Sequence, residues 1–284
     1  MSIKQSSTRI LSDDVFARTL ITGASGMFGS YVDFGIKTDH GSLDVTDLSA
    51  VRALCEKLKP TLILHLAAAT DLARCEREPD YAYRVNSVGT YHMALAAREH
   101  GALLVYVSTS SVFDGKKNEP YTPEDAPNPL SVYGHSKYLG ELAVQGIVPE
   151  YIIARITWVF GGGKERDKKF VSKILEQLDE PVIRAVADKS ASPTYAKDAV
   201  DAIKRLIEEG KRGVFHVPNS GSATRADIAR EIIAITGSKA KVEEVTDADF
   251  ATPYATGDNE ALEPSIPMRP WREALQEYLE EEWH

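Results

Sequence analysis

The chain has little of what marks several large classes of protein. Among its 284 residues are only two cysteines, Cys55 and Cys75, which cannot form a disulfide framework and are expected to stay reduced. The seven histidines do not cluster at ligand spacing, so a catalytic metal has no support. No apolar run approaches the length of a membrane span, and residues 1–17 lack an apolar signal core. The sequence therefore predicts a cytoplasmic protein without a membrane partner.

An excess of positive charge is also missing. The formal net charge is -9 at pH 7, whereas a domain that binds nucleic acid normally carries a basic face. We therefore expect no nucleic-acid partner. The length suffices for one large domain or two modest ones with a proper core.

Short apolar runs alternate with longer amphipathic segments in the first half of the chain. The predicted strands lie at 18–22, 61–67, 103–108 and 151–156. The predicted helices lie near 26–34, 48–58, 80–99 and 131–145. Apolar strands separated by helices predict a parallel sheet that is covered on both faces. The expected fold class is therefore α/β, with a doubly wound (Rossmann) sheet.

The second half of the chain is less regular. It contains predicted helices at 167–178, 224–237 and 271–283, a predicted turn and then a helix over 192–210, and a predicted strand at 214–217. We expect a smaller C-terminal substrate-binding subdomain that covers the edge of the sheet. The predicted division is an N-terminal extension (1–17), a dinucleotide-binding domain (18–160, to which 181–210 returns) and a mainly substrate-binding part (161–284).

A glycine-rich segment, TGASGMFG (22–29), follows the first predicted strand and opens the first helix. Gly23, Gly26 and Gly29 have the spacing G-x-x-G-x-x-G. Such a turn lets the backbone approach a pyrophosphate while helix N–H groups point towards it. This position at the first strand–helix turn predicts dinucleotide binding, against the alternative of a tight turn without a ligand.

The choice between NAD and NADP depends on the residues that follow the second strand. An acidic residue there binds the adenosine ribose and favours NAD, whereas a basic residue accepts the 2′-phosphate of NADP. Lys37, Asp39 and His40 occur together at this place. The residues alone leave the choice open.

The segment SVYGHSKYLGE (131–141) places Tyr133 and Lys137 on one face of a predicted helix, one turn apart. A phenol can donate the proton that an alkoxide needs after hydride transfer. An ammonium about 4 Å away could lower the phenol pKa by up to about three units. The alternative is an ordinary solvated pair. The segment YVSTSSVFDG (106–115) supplies hydroxyl groups at the end of the fourth strand.

In this order, the glycine loop, the hydroxyl run and the Tyr/Lys pair resemble the extended short-chain dehydrogenases/reductases. The resemblance also rests on HLAA (65–68) and VNSVGT (85–90) and extends from about residue 18 to the C-terminus. Within that family the chain is most similar to the dTDP-4-dehydrorhamnose reductases. The segments that carry this likeness are STSSVFDG (108–115), NPLSVYGHSKYLGE (128–141), RITWVFG (155–161), SPTYAKDAV (192–200) and FHVPNSGSATRADIA (215–229).

The resemblance implies a reaction and the residues for it. The reaction is reduction of the C4 ketone of a nucleotide-sugar substrate, dTDP-4-dehydro-6-deoxy-L-mannose, to dTDP-L-rhamnose, which feeds cell-surface polysaccharide. Tyr133 would be the acid, Lys137 would tune it and hold the nicotinamide ribose, and Thr109 would bind the carbonyl. NADPH is the expected cofactor, NADH is the alternative, and a homodimer is compatible with the family.

The resemblance implies further contacts. Those to the cofactor are Gly23, Ser25, Gly26, Met27, Phe28, Gly29, Asp44, Val45, Leu66, Ala67, Ala68, Asn86 and Ser108. Those to the substrate are Ser110, Ser111, Trp158 and Phe170, with Ser110 also the second choice for the carbonyl-binding hydroxyl.

Several positions depart from the family pattern. Ser110 and Ser111 replace an Asp and a Tyr, Lys169 replaces an Asn, and Thr252-Pro253 replaces an Arg-Pro pair. They lie where the family holds the sugar nucleotide, so they bear on which sugar is bound. Two serines cannot supply the acid and base of a dehydratase. The remaining alternatives are a nucleotide-sugar epimerase and a non-catalytic subunit that resembles the regulatory beta subunit of methionine adenosyltransferase.

Overall fold

The computed structural model describes residues 14–250 and 252–283. Most of the predicted N-terminal extension therefore lies outside the described residues. Its last four residues form a short helix, α1 (Asp14–Ala17).

The described chain alternates between strands and helices. The strands are β1 (Thr19–Thr22), β2 (Ile36–Lys37), β3 (Leu62–His65), β4 (Leu103–Thr109), β5 (Tyr151–Ile156), β6 (Val159–Phe160), β7 (Val182–Val186), β8 (Ser190–Ala191), β9 (Thr194–Tyr195), β10 (Gly213–His216), β11 (Ala223–Thr224), β12 (Lys241–Val245) and β13 (Asn259–Glu260). The α-helices after α1 are α2 (Met27–Ser30), α3 (Leu48–Leu58), α4 (Leu72–Arg77), α5 (Pro79–Tyr83), α6 (Thr90–His100), α7 (Val132–Ile147), α8 (Gly163–Arg166), α9 (Phe170–Leu175), α10 (Ala196–Glu208), α11 (Arg225–Thr236) and α12 (Trp271–Glu282). A π-helical turn (Arg84–Gly89) joins α5 to α6, and 3₁₀ turns occupy Ser110–Val112 and Asp247–Asp249.

A six-stranded sheet forms the centre of the molecule. Its order is β10-β5-β4-β3-β1-β2, and every neighbouring pair is parallel. The predicted doubly wound α/β fold is therefore confirmed. The strand order reverses at β1, which lies between β2 and β3, and ligands of such sheets bind in the crevice beyond the carboxyl ends of the strands at this point.

Helices cover both faces of this sheet. Helix α10 packs its apolar side chains, such as Ile203 and Leu206, on the face that contains Ile21 and Leu64. Helices α3, α6 and α7 cover the opposite face. Because both faces are buried, the central strands consist largely of apolar residues and show no polar alternation.

The C-terminal part has an apolar core of its own. Four aromatic side chains form its centre: Phe160, Tyr195, Trp271 and Tyr278. Three small sheets surround it, with the orders β11-β8-β13, β12-β7 and β6-β9. Strand β10 and helix α10 nevertheless belong to the six-stranded sheet and its cover, so the chain passes between the two parts more than once. The domain limits given above remain a prediction.

Most predicted elements occur within two residues of their expected ends, and two helices are shorter. Helix α2 ends at Ser30, where the Tyr31 N–H donates to the Phe28 carbonyl, and Gly35, with φ of +72°, precedes β2. Helix α9 begins only at Phe170, since the Asp167 carboxylate accepts the Lys169 N–H at 2.9 Å and holds a turn before it. Within 14–250 and 252–283, no helix has both the length and the apolarity needed to cross a bilayer.

Helix α11 has the predicted start and end. The Thr224 hydroxyl accepts the Asp227 N–H, and the Asp227 carboxylate accepts the Thr224 N–H, each at 3.0 Å. This reciprocal capping satisfies two backbone donors that a helix start leaves free. Gly237 ends the helix with φ of +70°.

Candidate active site

A cleft of about 2010 Å³ runs along the carboxyl edge of the six-stranded sheet and is closed from the other side by the C-terminal part. It brings together nearly all residues that the sequence predicts for the site. Those in its lining are Gly23, Ser25, Gly26, Met27, Phe28, Asp44, Val45, Leu66, Ala67, Ala68, Ser108, Thr109, Ser110, Ser111, Tyr133, Lys137, Trp158 and Phe170. Gly29 and Asn86 lie outside that lining.

The glycine loop is closed tightly against the end of β3. A Cβ atom on Gly23 would lie 2.6 Å from the backbone nitrogen of Ala67, and its φ of +70° favours glycine. A Cβ on Gly29 would lie 2.1 Å from the Ala24 oxygen, so this glycine serves the packing of α2 on its own loop. Gly26 meets only the Gly23 oxygen, at 3.4 Å, and leaves the floor of the cleft open.

The end of β4 offers a second observation that fits a dinucleotide. Ser108 lines the cleft, and its Oγ is buried without a hydrogen-bond partner among the described residues. A buried hydroxyl normally has a partner, so this one is available to a bound molecule. Together with the space that Gly26 leaves open in the glycine loop, it makes the cleft suitable for a dinucleotide.

Asn86 is fully buried in the π-helical turn, and its amide is used by the protein itself. The amide oxygen accepts the Ala69 N–H at 2.8 Å, while the amide nitrogen donates to the Ala69 carbonyl at 3.1 Å and to Ser136 Oγ at 2.9 Å. Asn86 therefore joins the loop after β3 to helix α7. The structure places it behind the cleft wall, so its predicted contact with the cofactor stays a prediction.

Two close approaches bring α7 against the end of β4. A Cβ on Gly134 would lie 2.0 Å from the Ser111 carbonyl oxygen, and a Cβ on Gly140 would lie 2.5 Å from the Tyr106 hydroxyl. The helix starts at Ser131, whose hydroxyl accepts the Gly134 N–H at 3.1 Å. This packing puts the first two turns of α7 at the cleft.

Lys137 is buried, with 3 % of its surface exposed. Its ammonium donates to the Val107 carbonyl at 2.7 Å and lies 4.1 Å above the centre of the Tyr106 ring. Burial lowers its pKa to about 7, although the charge of Glu141 partly raises it. Lys137 can therefore lose or keep its proton near neutral pH.

Tyr133 is half-buried, and its pKa differs in direction from the sequence expectation. Burial raises the pKa to about 12, while a hydrogen bond with Thr109 partly lowers it. The expected lowering by Lys137 assumed a full positive charge in a medium of moderate dielectric. In the structure burial dominates, because it disfavours the charged phenolate form of Tyr133.

The hydroxyl groups after β4 form a short chain that ends on a carboxyl group. The Ser111 N–H donates to Thr109 Oγ1 at 3.1 Å, and the Thr109 hydroxyl donates to Ser111 Oγ at 3.3 Å. The Ser111 hydroxyl donates in turn to Glu260 Oε1 at 3.3 Å. Ser110 is buried beside them.

Trp158 is held in an unusual backbone conformation at the cleft. Its φ of +37° is rare for a bulky residue and marks a place where the surroundings dictate the backbone. The indole N–H donates to Glu260 Oε2 at 2.9 Å. The Arg225 guanidinium lies 4.5 Å from the centre of the Trp158 ring and 4.9 Å from that of Phe170.

The sequence reasoning missed Glu260 and Arg225. Glu260 lies 149 residues from Ser111 and 102 from Trp158, and no local motif surrounds it. Arg225 carried only the signal of a helix start. The two residues enter the site through β13 and the start of α11, whose positions depend on the packing of the C-terminal part.

Lys169, which departs from the family pattern, lies in the lining of the cleft. Its ammonium reaches the carbonyl oxygen of Thr70, across the cleft, at 3.5 Å. Burial lowers its pKa, and the charges of Asp71 and Asp167 partly raise it. It adds positive charge to this wall of the cleft.

Known proteins are similar to this chain in both sequence and fold. Residues 17–283 match the family model described as RmlD substrate binding domain. The spore coat polysaccharide biosynthesis protein SpsK of Bacillus subtilis is 33% identical over 93% of this chain and 97% of its own. The dTDP-4-dehydrorhamnose reductase of Streptomyces griseus is 32% identical over 92% of each chain. The crystal structure of dTDP-4-dehydrorhamnose reductase from Bacillus anthracis in complex with NADP superposes with a TM-score of 0.88, at 32% identity over 93% of this chain and 98% of that one.

Proposed function

Because the chain belongs to the RmlD substrate binding domain family, we propose that it reduces the C4 ketone of dTDP-4-dehydrorhamnose to dTDP-L-rhamnose with NAD(P)H. The observation that carries the proposal is the meeting of Thr109, Tyr133 and Lys137 in the cleft that the glycine loop enters. A regulatory subunit without catalysis would not need this set of groups.

The residues of the site have separate tasks in this proposal. The glycine loop, Leu66–Ala68 and Ser108 would hold the dinucleotide, which supplies the hydride when bound. Thr109 and Tyr133 would bind the carbonyl oxygen, and the Tyr133 hydroxyl would donate its proton to that oxygen as negative charge develops there. The Lys137 ammonium, when protonated, stabilises the resulting tyrosinate.

A coupled assay tests the proposal. Purified protein, dTDP-4-dehydrorhamnose and either dinucleotide should give oxidation of the nicotinamide and one dTDP-rhamnose for each NAD(P)H consumed. Epimerisation without net consumption, with NAD retained through purification, would contradict the proposal in favour of the epimerase. No turnover with a panel of dTDP-4-keto sugars, together with a stable protein partner, would favour the regulatory subunit.

We further propose that NADPH is preferred and that NADH also serves. The Lys37 ammonium lies beside the glycine loop, 3.3 Å from the Gly29 oxygen, where it can meet a 2′-phosphate. The Asp39 carboxylate, two residues further along, lines the cleft, but it accepts the Ser42 hydroxyl at 2.8 Å and the Ser42 N–H at 3.0 Å. These bonds lower the pKa of Asp39 and hold its Oδ1 atom in a turn.

Replacing Lys37 with alanine should raise the KM for NADPH by about 10-fold, since a hydrogen bond to a charged group is lost, and leave that for NADH unchanged. Asp39→Asn is the matched opposite, because it removes a negative charge and should improve NADPH relative to NADH. Initial rates with both cofactors measure the two ratios. Equal effects of Lys37→Ala on both cofactors would contradict the proposed role of the ammonium.

We also propose a homodimer that forms through α6, α7 and the π-helical turn before α6. These packed helices leave four apolar side chains exposed at 36–45 %: Val88, Tyr91, Leu139 and Leu142. Leu142→Glu should therefore give a monomer, as measured by light scattering coupled to size exclusion. Val182→Glu, which changes an equally exposed apolar residue on β7, is the control and should keep the dimer. A wild-type monomer would refute this assembly.

A further inference from the structure

Glu260 is a carboxyl group at the reactive end of the cleft that the proposed reaction has not used. It is half-buried in β13 and lines the cleft together with Thr109, Ser111 and Tyr133. The negative charge of Glu260 interacts with Tyr133 and contributes to the raised pKa of that phenol. It therefore lies close to the place where the sugar carbonyl would bind.

The bonds of Glu260 leave part of its capacity free. A carboxylate only accepts hydrogen bonds and has about four acceptor positions. Oε1 accepts the Ser111 hydroxyl, and Oε2 accepts the Trp158 indole N–H. The remaining positions are suited to a donor that enters the cleft.

The charge around Glu260 selects the kind of donor. Burial raises the pKa of the Glu260 carboxyl group, and the positive charge of the Arg225 guanidinium partly lowers it. Arg225 is itself stacked on Trp158 and Phe170, so a positive charge is built into this wall. A second cation on the substrate would be repelled, whereas a neutral hydroxyl would not.

The position of the Glu260 carboxyl group indicates which hydroxyl of the sugar would donate to it. Thr109 would bind the C4 carbonyl oxygen. Hydrogen bonds connect Thr109 to Ser111 and Ser111 to Glu260, so one hydroxyl group separates Glu260 from Thr109. In a 4-keto-6-deoxy sugar the carbons next to the carbonyl are C3, which bears a hydroxyl, and C5, which bears the methyl group. Only C3 offers a donor beside the reacting centre.

We propose that Glu260 is a specificity-determining residue that accepts a hydrogen bond from the hydroxyl on the sugar carbon next to the reacting carbonyl. The inference rests on the proposed function, and it makes a 3-hydroxylated 4-keto sugar the preferred class of substrate. The 3-deoxy analogue leaves the carboxyl group without its donor and is bound less well.

The test compares dTDP-4-dehydrorhamnose with its 3-deoxy analogue in wild type and Glu260→Gln. A glutamine has one oxygen, which Trp158 requires, so its NH₂ group would face Ser111 and the cleft in place of an acceptor. In the wild type kcat/KM should favour the hydroxylated substrate by about 10- to 100-fold, as expected for a hydrogen bond to a charged group. The variant should lose most of this preference through a higher KM for the hydroxylated substrate, with the analogue nearly unchanged.

Two additions separate this role from a structural one. Glu263→Gln alters an exposed carboxylate three residues away and should keep the wild-type preference. If Glu260→Gln only displaced Trp158, the variant would reduce both substrates more slowly by the same factor. That result, or a wild type that reduces both substrates equally well, would overturn the proposal.

Calorimetry keeps the inference independent of turnover. The affinities of wild type and Glu260→Gln for dTDP-rhamnose and its 3-deoxy analogue should show the same loss of preference. A wild type that reduces neither ketone would contradict the proposed function, and the affinities would still decide the role of Glu260. Equal affinities of the wild type for the two sugars would refute it.

Discussion

Replacing Tyr133 with phenylalanine should lower kcat by about 10²–10⁴-fold, because the reduced carbonyl oxygen loses its proton donor. Affinity for the dinucleotide should change little, since the phenol ring and its packing remain. Single-turnover rates with NADPH and dTDP-4-dehydrorhamnose measure the first quantity, and fluorescence titration with NADPH measures the second.

Tyr138→Phe is the matched control for this substitution. Tyr138 lies on the same helix, α7, and packs away from the cleft beside Val112 and Phe113. The Tyr138→Phe variant should keep nearly the full wild-type activity. If Tyr133→Phe retained more than about a tenth of the wild-type kcat, the phenol would not be the acid, and Thr109 would be the next group to examine.

Glu141→Gln should destabilise the protein by about 3–5 kcal/mol, because it leaves the buried charge of Arg155 without its partner. The two side chains are 0 % and 3 % exposed, and two parallel bonds of 2.9 and 2.6 Å join the guanidinium to the carboxylate. A glutamine side chain can accept at most one of these two hydrogen bonds, and it carries no negative charge. Urea unfolding at neutral pH measures the change in the free energy of unfolding.

An exposed pair provides the comparison. Glu150 binds Arg212 at 2.6 Å, with exposures of 61 % and 31 %, and Glu150→Gln should cost less than about 1 kcal/mol. The double variant Glu141→Leu/Arg155→Met should recover most of the stability lost in Glu141→Gln, because no buried charge remains. A loss for Glu141→Gln no larger than that for Glu150→Gln would show that water reaches Arg155.

The parts of the fold that depend on neighbours in sequence could be predicted from the sequence. Helix α3 has the expected limits of 48–58, and α11 lies within one residue of its expected limits of 224–237. The convergence of Thr109, Tyr133 and Lys137 in one cleft follows from the order of strand, hydroxyl run and helix.

The rest depends on contacts that no local pattern contains. Glu260 meets Ser111 and Trp158 only because β13 pairs with β8 in a small sheet of the C-terminal part. The pKa directions of Tyr133 and Lys137 depend on how much water the completed fold removes, and a spacing of four residues does not contain that quantity. The positive φ of Trp158 likewise depends on residues that are distant in sequence and contact it in the fold, such as Glu260 and Arg225.

The return of the chain to the central sheet has a consequence for how the protein can be divided. A fragment that ended at residue 160 would lack α10 and β10 and would leave Ile21 and Leu64, on one side of the sheet, open to water. The dinucleotide-binding part and the substrate-binding part that the sequence predicts are thus not independent modules. Exchange of substrate preference between relatives would have to proceed by replacing single side chains in the cleft, such as the one at position 260, while both halves stay intact.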